Sequence, residues 1–171
     1  MVQDTPAPDT PAPPPAGDID VMCAGILLGK TIEDAQAKVP SGVTVVDMTA
    51  SGDFMLRMST DVQNRVITEA MADIEGVIFD IYNKHPGIDN VKWNPDDFSA
   101  IYLVINDAFK SEGNKQESGN ALMALSLYGP MVQVYQGKGL NAVTWIGFGD
   151  DEMEDIQGEL YSPACLYDLA G

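Results

Sequence analysis

The chain has 171 residues, 45% of them apolar, which is enough for one ordinary domain with its own hydrophobic core and needs no metal or dense disulfide framework. Lys and Arg number 9 against 26 Asp and Glu, a formal net charge of −17, and no segment clusters its cations, which argues against nucleic acid and anionic membrane surfaces as partners. Basic proteins, cations and neutral ligands remain, beside the simpler role of acidity in keeping an exported protein dissolved.

Residues 1 to 20 hold six of the 11 prolines and no Lys, Arg or aromatic residue, so they offer too little apolar surface to offset chain entropy. They are predicted to be a disordered, semi-rigid spacer reaching up to about 60 Å in a polyproline II conformation. The globular part is then 21 to 171, read as a single domain. It opens on the apolar run Val21 to Leu28, followed by a short helix with Thr31 as N-cap and Glu33 and Asp34 in its first turn, ended by Pro40 and Gly42. The string Gly29-Lys30-Thr31-Ile32-Glu33-Asp34-Ala35-Gln36-Ala37 resembles the helix opening of PASTA domains, peptidoglycan-associated modules of bacterial surface proteins. The resemblance covers about nine residues, and a long helical pattern interrupts the strands that should follow, so no family is assigned.

Strands are predicted at 43 to 48 and 54 to 58, joined by a hairpin turn at Ala50-Ser51-Gly52-Asp53. A long amphipathic helix follows over about 60 to 85: Thr60 and Gln63 form a capping box, and Val62, Val66, Ile67, Met71, Ile74, Ile78, Ile81 and Tyr82 recur at helical spacing until Pro86-Gly87 stops it. The pattern returns to β at 91 to 93 and at 100 to 106, where Ala100 to Ile105 is apolar on both faces and should be central in a sheet. A second helix, about 118 to 137, is expected to kink or divide at Gly129-Pro130, and a last strand to run from 142 to 148. The order implies an α+β or α/β fold, a two-layer sandwich with a mixed sheet.

The chemistry is bounded mainly by absences. His85 is the single histidine, and it stands at the end of the long helix where it suits the carbonyl dipole, so neither a multi-histidine metal centre nor a nucleophile elbow is encoded. Phosphate and dinucleotide loops are missing, and no catalytic, cofactor-binding or metal-ligating residue is assigned. Asp150, Asp151, Glu152, Glu154 and Asp155 form the densest acidic run, without the spacing and turn glycine of a calcium loop; a solvated helix start is expected there. Trp93, before the turn Asn94-Pro95-Asp96-Asp97, is the best surface aromatic, and with Asp150 and Asp151 it makes the candidate binding surface. Cys23 and Cys165 flank the globular part and are expected to form a disulfide, two buried thiols being the alternative. Together these features point to a secreted or envelope-tethered domain, its signal peptide removed, that binds a protein or cell-envelope component without catalysis. A small carboxylate-dependent hydrolase such as a glycosidase is the other reading, since two carboxylates suffice for that chemistry.

Overall fold

Alternation of apolar side chains builds the first sheet, as seen in the computed structural model, which describes residues 17–163. In β3 (Phe54–Ser59) Phe54, Leu56 and Met58 are buried and the residues between them are not. β1 (Asp18–Cys23) and β2 (Thr44–Met48) pair antiparallel on either side of β3, and the expected hairpin is the β2–β3 pair. The globular part therefore starts at Asp18: residues 18 to 20 belong to a strand, where Asp20 meets Arg57 at 2.7 Å. The remainder of the expected spacer, 1 to 16, lies outside the described residues. The apolar run after β1 leaves the sheet at Ala24 and makes one helical turn, α1 (Gly25–Leu28), before α2 (Ile32–Lys38), whose Thr31 cap accepts from the Asp34 N–H at 3.1 Å.

α3 (Thr60–Lys84) follows β3 without a loop, and this moves its cap by one position: the Ser59 hydroxyl accepts from the Val62 N–H at 3.3 Å. Thr60 and Gln63 do not form the expected box, because Gln63 turns its amide to the Tyr135 carbonyl at 2.8 Å. At 25 residues α3 is about 37 Å long and serves two cores. Val66 packs against the first sheet, whereas Ile74 and Ile78 pack against the second.

That second sheet is mixed, in the order β4-β5-β6-β7. β4 (Ile88–Trp93) pairs antiparallel with β5 (Ala100–Ile105), β5 pairs parallel with β6 (Thr144–Gly149), and β6 pairs antiparallel with β7 (Ile156–Ser162). β5 is internal, as its two apolar faces require: Ile101 and Leu103 join the helix-side core while Tyr102 points to the other face. The fold is an α+β sandwich with two sheets rather than one. β7 replaces the helix expected after the acidic run; residues 150 to 155 are the loop between β6 and β7.

α4 (Lys115–Gln133) covers the second sheet and passes through Pro130 undivided. Proline has no N–H for the carbonyl four residues back, that of Ser126, and the Ser162 hydroxyl at the end of β7 donates to that carbonyl instead. After Gln133 the helix passes into a π-helical turn at Val134–Lys138, within which Gly137 has φ 92°. Gly129 is required beside it, because a Cβ there would stand 2.6 Å from the Thr144 Oγ1 of β6.

Candidate functional site

β4 is one edge of the mixed sheet, and α3 runs alongside it. Between them lies an open groove of about 430 Å³ lined by Glu75, Ile78, Phe79 and Tyr82 from the helix and Asn90, Val91 and Trp93 from the strand. Its floor is core: Ile78 and Val91 are buried. Its walls are aromatic side chains left to solvent, with Phe79 66%, Tyr82 49% and Trp93 38% exposed. Helical spacing explains the first two, since Glu75, Phe79 and Tyr82 stand four and three residues apart and share one face beside the buried stripe of Ile74 and Ile78. Tyr82 thus belongs to this wall and not to the core face its spacing suggested.

The edge itself has a defined polarity. The Asn94 N–H donates to the Ala100 carbonyl at 2.9 Å, so by antiparallel alternation Lys92 also turns its backbone towards β5, while Val91 and Trp93 turn theirs outward. The outward Val91 N–H is met by the neighbouring Asn90 Oδ1 at 2.8 Å.

Lys92 places the acidic loop at the same edge, on the opposite face of the sheet. Its amino group reaches the Asp151 carbonyl at 2.5 Å and the Asp151 carboxylate at 2.8 Å. Asp150 does something else: its carboxylate accepts from the N–H groups of Glu154 and Asp155 at 3.1 and 3.3 Å and so shapes the loop. Beneath the loop Tyr102 is 2% exposed, and its hydroxyl has no hydrogen-bond partner among the described residues. Burial, then the Asp150 charge, pushes its phenol pKa up, so it remains a neutral hydroxyl at ordinary pH. Trp145 stacks on Tyr102 with centroids 6.1 Å apart and donates to Glu159 at 2.7 Å. Among the described residues no three His, Cys, Asp or Glu side chains are placed to hold a metal ion.

Of the residues singled out from sequence, the structure brings Trp93 and Asp151 to the two faces of one strand edge, and gives Asp150 a role inside its loop. Tyr102 and Tyr135 are buried, whereas Tyr128 and Tyr161 are exposed elsewhere. Phe79 was missed; an aromatic one position off the buried stripe of an amphipathic helix was the signal. Cys165 lies outside the described residues, and Cys23 is fully buried in the first core, 3.9 Å from the Met131 sulfur. Burial, and secondarily the Asp53 charge, pushes the Cys23 thiol up to about 12, which makes it a poor nucleophile.

A second groove, about 350 Å³, lies between α3 and α4 and includes Asp80, Lys84, His85 and Glu117. Its histidine is oriented against nucleophilic catalysis. His85 Nδ1 accepts from the Gly87 N–H at 3.0 Å, so the ring proton sits on Nε2 and is donated to the Ser118 hydroxyl at 3.0 Å. The Ser118 hydroxyl donates its own hydrogen bond to the Phe109 carbonyl at 2.7 Å, so it does not point its proton at the histidine as a nucleophile activated by a histidine base would. Burial lowers the His85 pKa, against a smaller opposing pull from Glu117. The carboxylates whose pKa moves are also unlike a general acid. The Arg57 hydrogen bond lowers Asp20, and at Asp97 burial is outweighed by hydrogen bonds from Lys138 and Ser99, with a net lowering.

No helix among the described residues is long and apolar enough to cross a membrane. No known protein family model matches the chain, and no curated protein or solved structure is significantly similar to it.

Proposed function

We propose that this chain is an extracytoplasmic binding domain, secreted or tethered to the cell envelope, which captures a basic protein segment in the groove between α3 and β4. The observation that carries this reading is the wall of Phe79, Tyr82 and Trp93, three aromatics exposed to water along a groove whose only charged lining residue, among the described residues, is Glu75. Exposing three large rings side by side lowers solubility and adds nothing to the core, whereas aromatic side chains around a desolvated centre are what dominates binding interfaces. The net charge of −17 favours a cationic partner and speeds its approach. The Pro-rich stretch at 1 to 16, ahead of β1, fits the role of a spacer that holds the groove away from an attachment point.

The test is selection of a random-peptide display library on the full chain, with the folded Phe79→Ala/Trp93→Ala variant as counter-target. Enriched peptides should carry Lys or Arg together with apolar residues, and should bind the variant at least about tenfold more weakly, the loss expected when central interface aromatics are truncated. No enrichment over a blank surface, or equal binding to the variant, overturns the reading.

A further inference from the structure

The groove is open along a strand edge, and the backbone of that edge specifies more than a sticky surface would. We infer that β4 takes up its partner as an added β-strand, and that the segment it accepts alternates basic and apolar residues. This rests on the α3–β4 groove being the binding site.

Three observations converge on it. First, the outward backbone groups of Val91 and Trp93 have the spacing of a strand edge, two residues apart, and they belong to residues that line the groove. The Asn90 side chain, which occupies the Val91 N–H at 2.8 Å, is exposed and can swing away when an incoming carbonyl replaces it. Second, a strand laid against β4 presents alternate side chains to the two faces of the sheet. On the helix face they meet Phe79, Tyr82 and Trp93, which suits apolar groups. On the other face they meet the acidic loop, which Lys92 anchors to the edge through Asp151 and which carries the exposed Glu152, Glu154 and Asp155. Third, charge chooses among occupants. A second copy of the chain, itself carrying a net −17, would be repelled, whereas Lys or Arg at every second position would neutralise the loop. The acidic run and Trp93, far apart in sequence, thus become the two faces of one recognition strip.

The probe is an acetylated, amidated peptide of alternating Lys and Val, about ten residues long so that it can span a strand of ordinary length, titrated into the full chain by calorimetry. Saturable binding at one site per chain is expected, and replacing every Lys by Glu should abolish it. Two N-methylated isomers, one modified on the Lys nitrogens and one on the Val nitrogens, separate backbone pairing from side-chain contact. A strand offers only alternate N–H groups to its neighbour, so one isomer should lose at least about tenfold and the other change little. Asn90→Ala should strengthen binding about two- to fivefold by removing the competing cap.

Absence of saturable binding by the parent peptide overturns the inference. If both isomers bind like the parent while Phe79→Ala/Trp93→Ala abolishes binding, the groove stands and strand addition falls; if the double variant binds like the wild type, both fall. Dimers that Trp93→Ala dissolves would assign the edge to a second copy. A gain of tenfold or more on removing residues 1 to 16 would assign it to that segment. Either result overturns the basic partner.

Discussion

Replacing Ser162 by Ala tests how α4 accommodates its proline. In an ordinary helix the residue at 130 would donate to the Ser126 carbonyl; Pro130 cannot, and the hydroxyl of Ser162, a residue with no exposed surface, takes its place. Removing a donor from a buried carbonyl costs about 1 to 3 kcal/mol, because the acceptor loses a hydrogen bond at a site closed to water. Equilibrium urea unfolding followed by circular dichroism should register that loss, with a fall of several degrees in Tm. The decisive version is a double-mutant cycle with Pro130→Ala, which restores the missing N–H. In that background Ser162→Ala should do much less harm, leaving an interaction term of about 1 kcal/mol or more. Effects that add to within about 0.5 kcal/mol would refute the claim that the two residues solve one hydrogen-bonding problem.

Acidification should destabilise the protein through His85. Its folded pKa is lowered by burial, so the neutral ring contributes stability in full above the unfolded value of about 6.5, and that contribution is lost as pH falls through the folded pKa. His85 is the single histidine, so the drop in urea midpoint between about pH 7 and pH 5 should shrink in His85→Gln; an unchanged pH profile would contradict the assignment. Gly129→Ala should destabilise by about 1 to 3 kcal/mol, since its Cβ meets Thr144 and forces α4 off β6; an unaltered Tm would show that the two elements have room. Cys23, buried and with its thiol pushed up to about 12, should resist iodoacetamide in native protein at pH 8 and become accessible only on unfolding. Rapid native labelling would contradict its place in the core.

Where one periodicity runs long enough, the sequence was a good guide. α3 is legible because its apolar residues recur over seven turns, and β5 because six residues in a row are apolar, as only an internal strand tolerates. β7 was not legible, because Gly158 and Glu159 break its apolar alternation. Gly158 is there for packing, since a Cβ would lie 2.3 Å from the Phe148 ring. The division into two sheets depends on which strands α3 bridges, which no local pattern records. The groove shows the same limit in functional terms. Trp93 stood out beside a turn, but Phe79 and Tyr82 are visible as its partners only once α3 is laid along the edge of β4. Asp151 joins that edge only through Lys92, a residue unremarkable in the sequence.

The most direct measurement of the central claim is an amide chemical-shift map of the full chain during titration with the alternating Lys and Val peptide. Binding in the α3–β4 groove predicts saturable shifts concentrated at Phe79, Tyr82 and Asn90 to Trp93, with weaker ones in the acidic loop from Asp151 to Asp155. Shifts that gather instead around His85 and Glu117 in the second groove, or that spread evenly over the acidic surface without saturating, would contradict it.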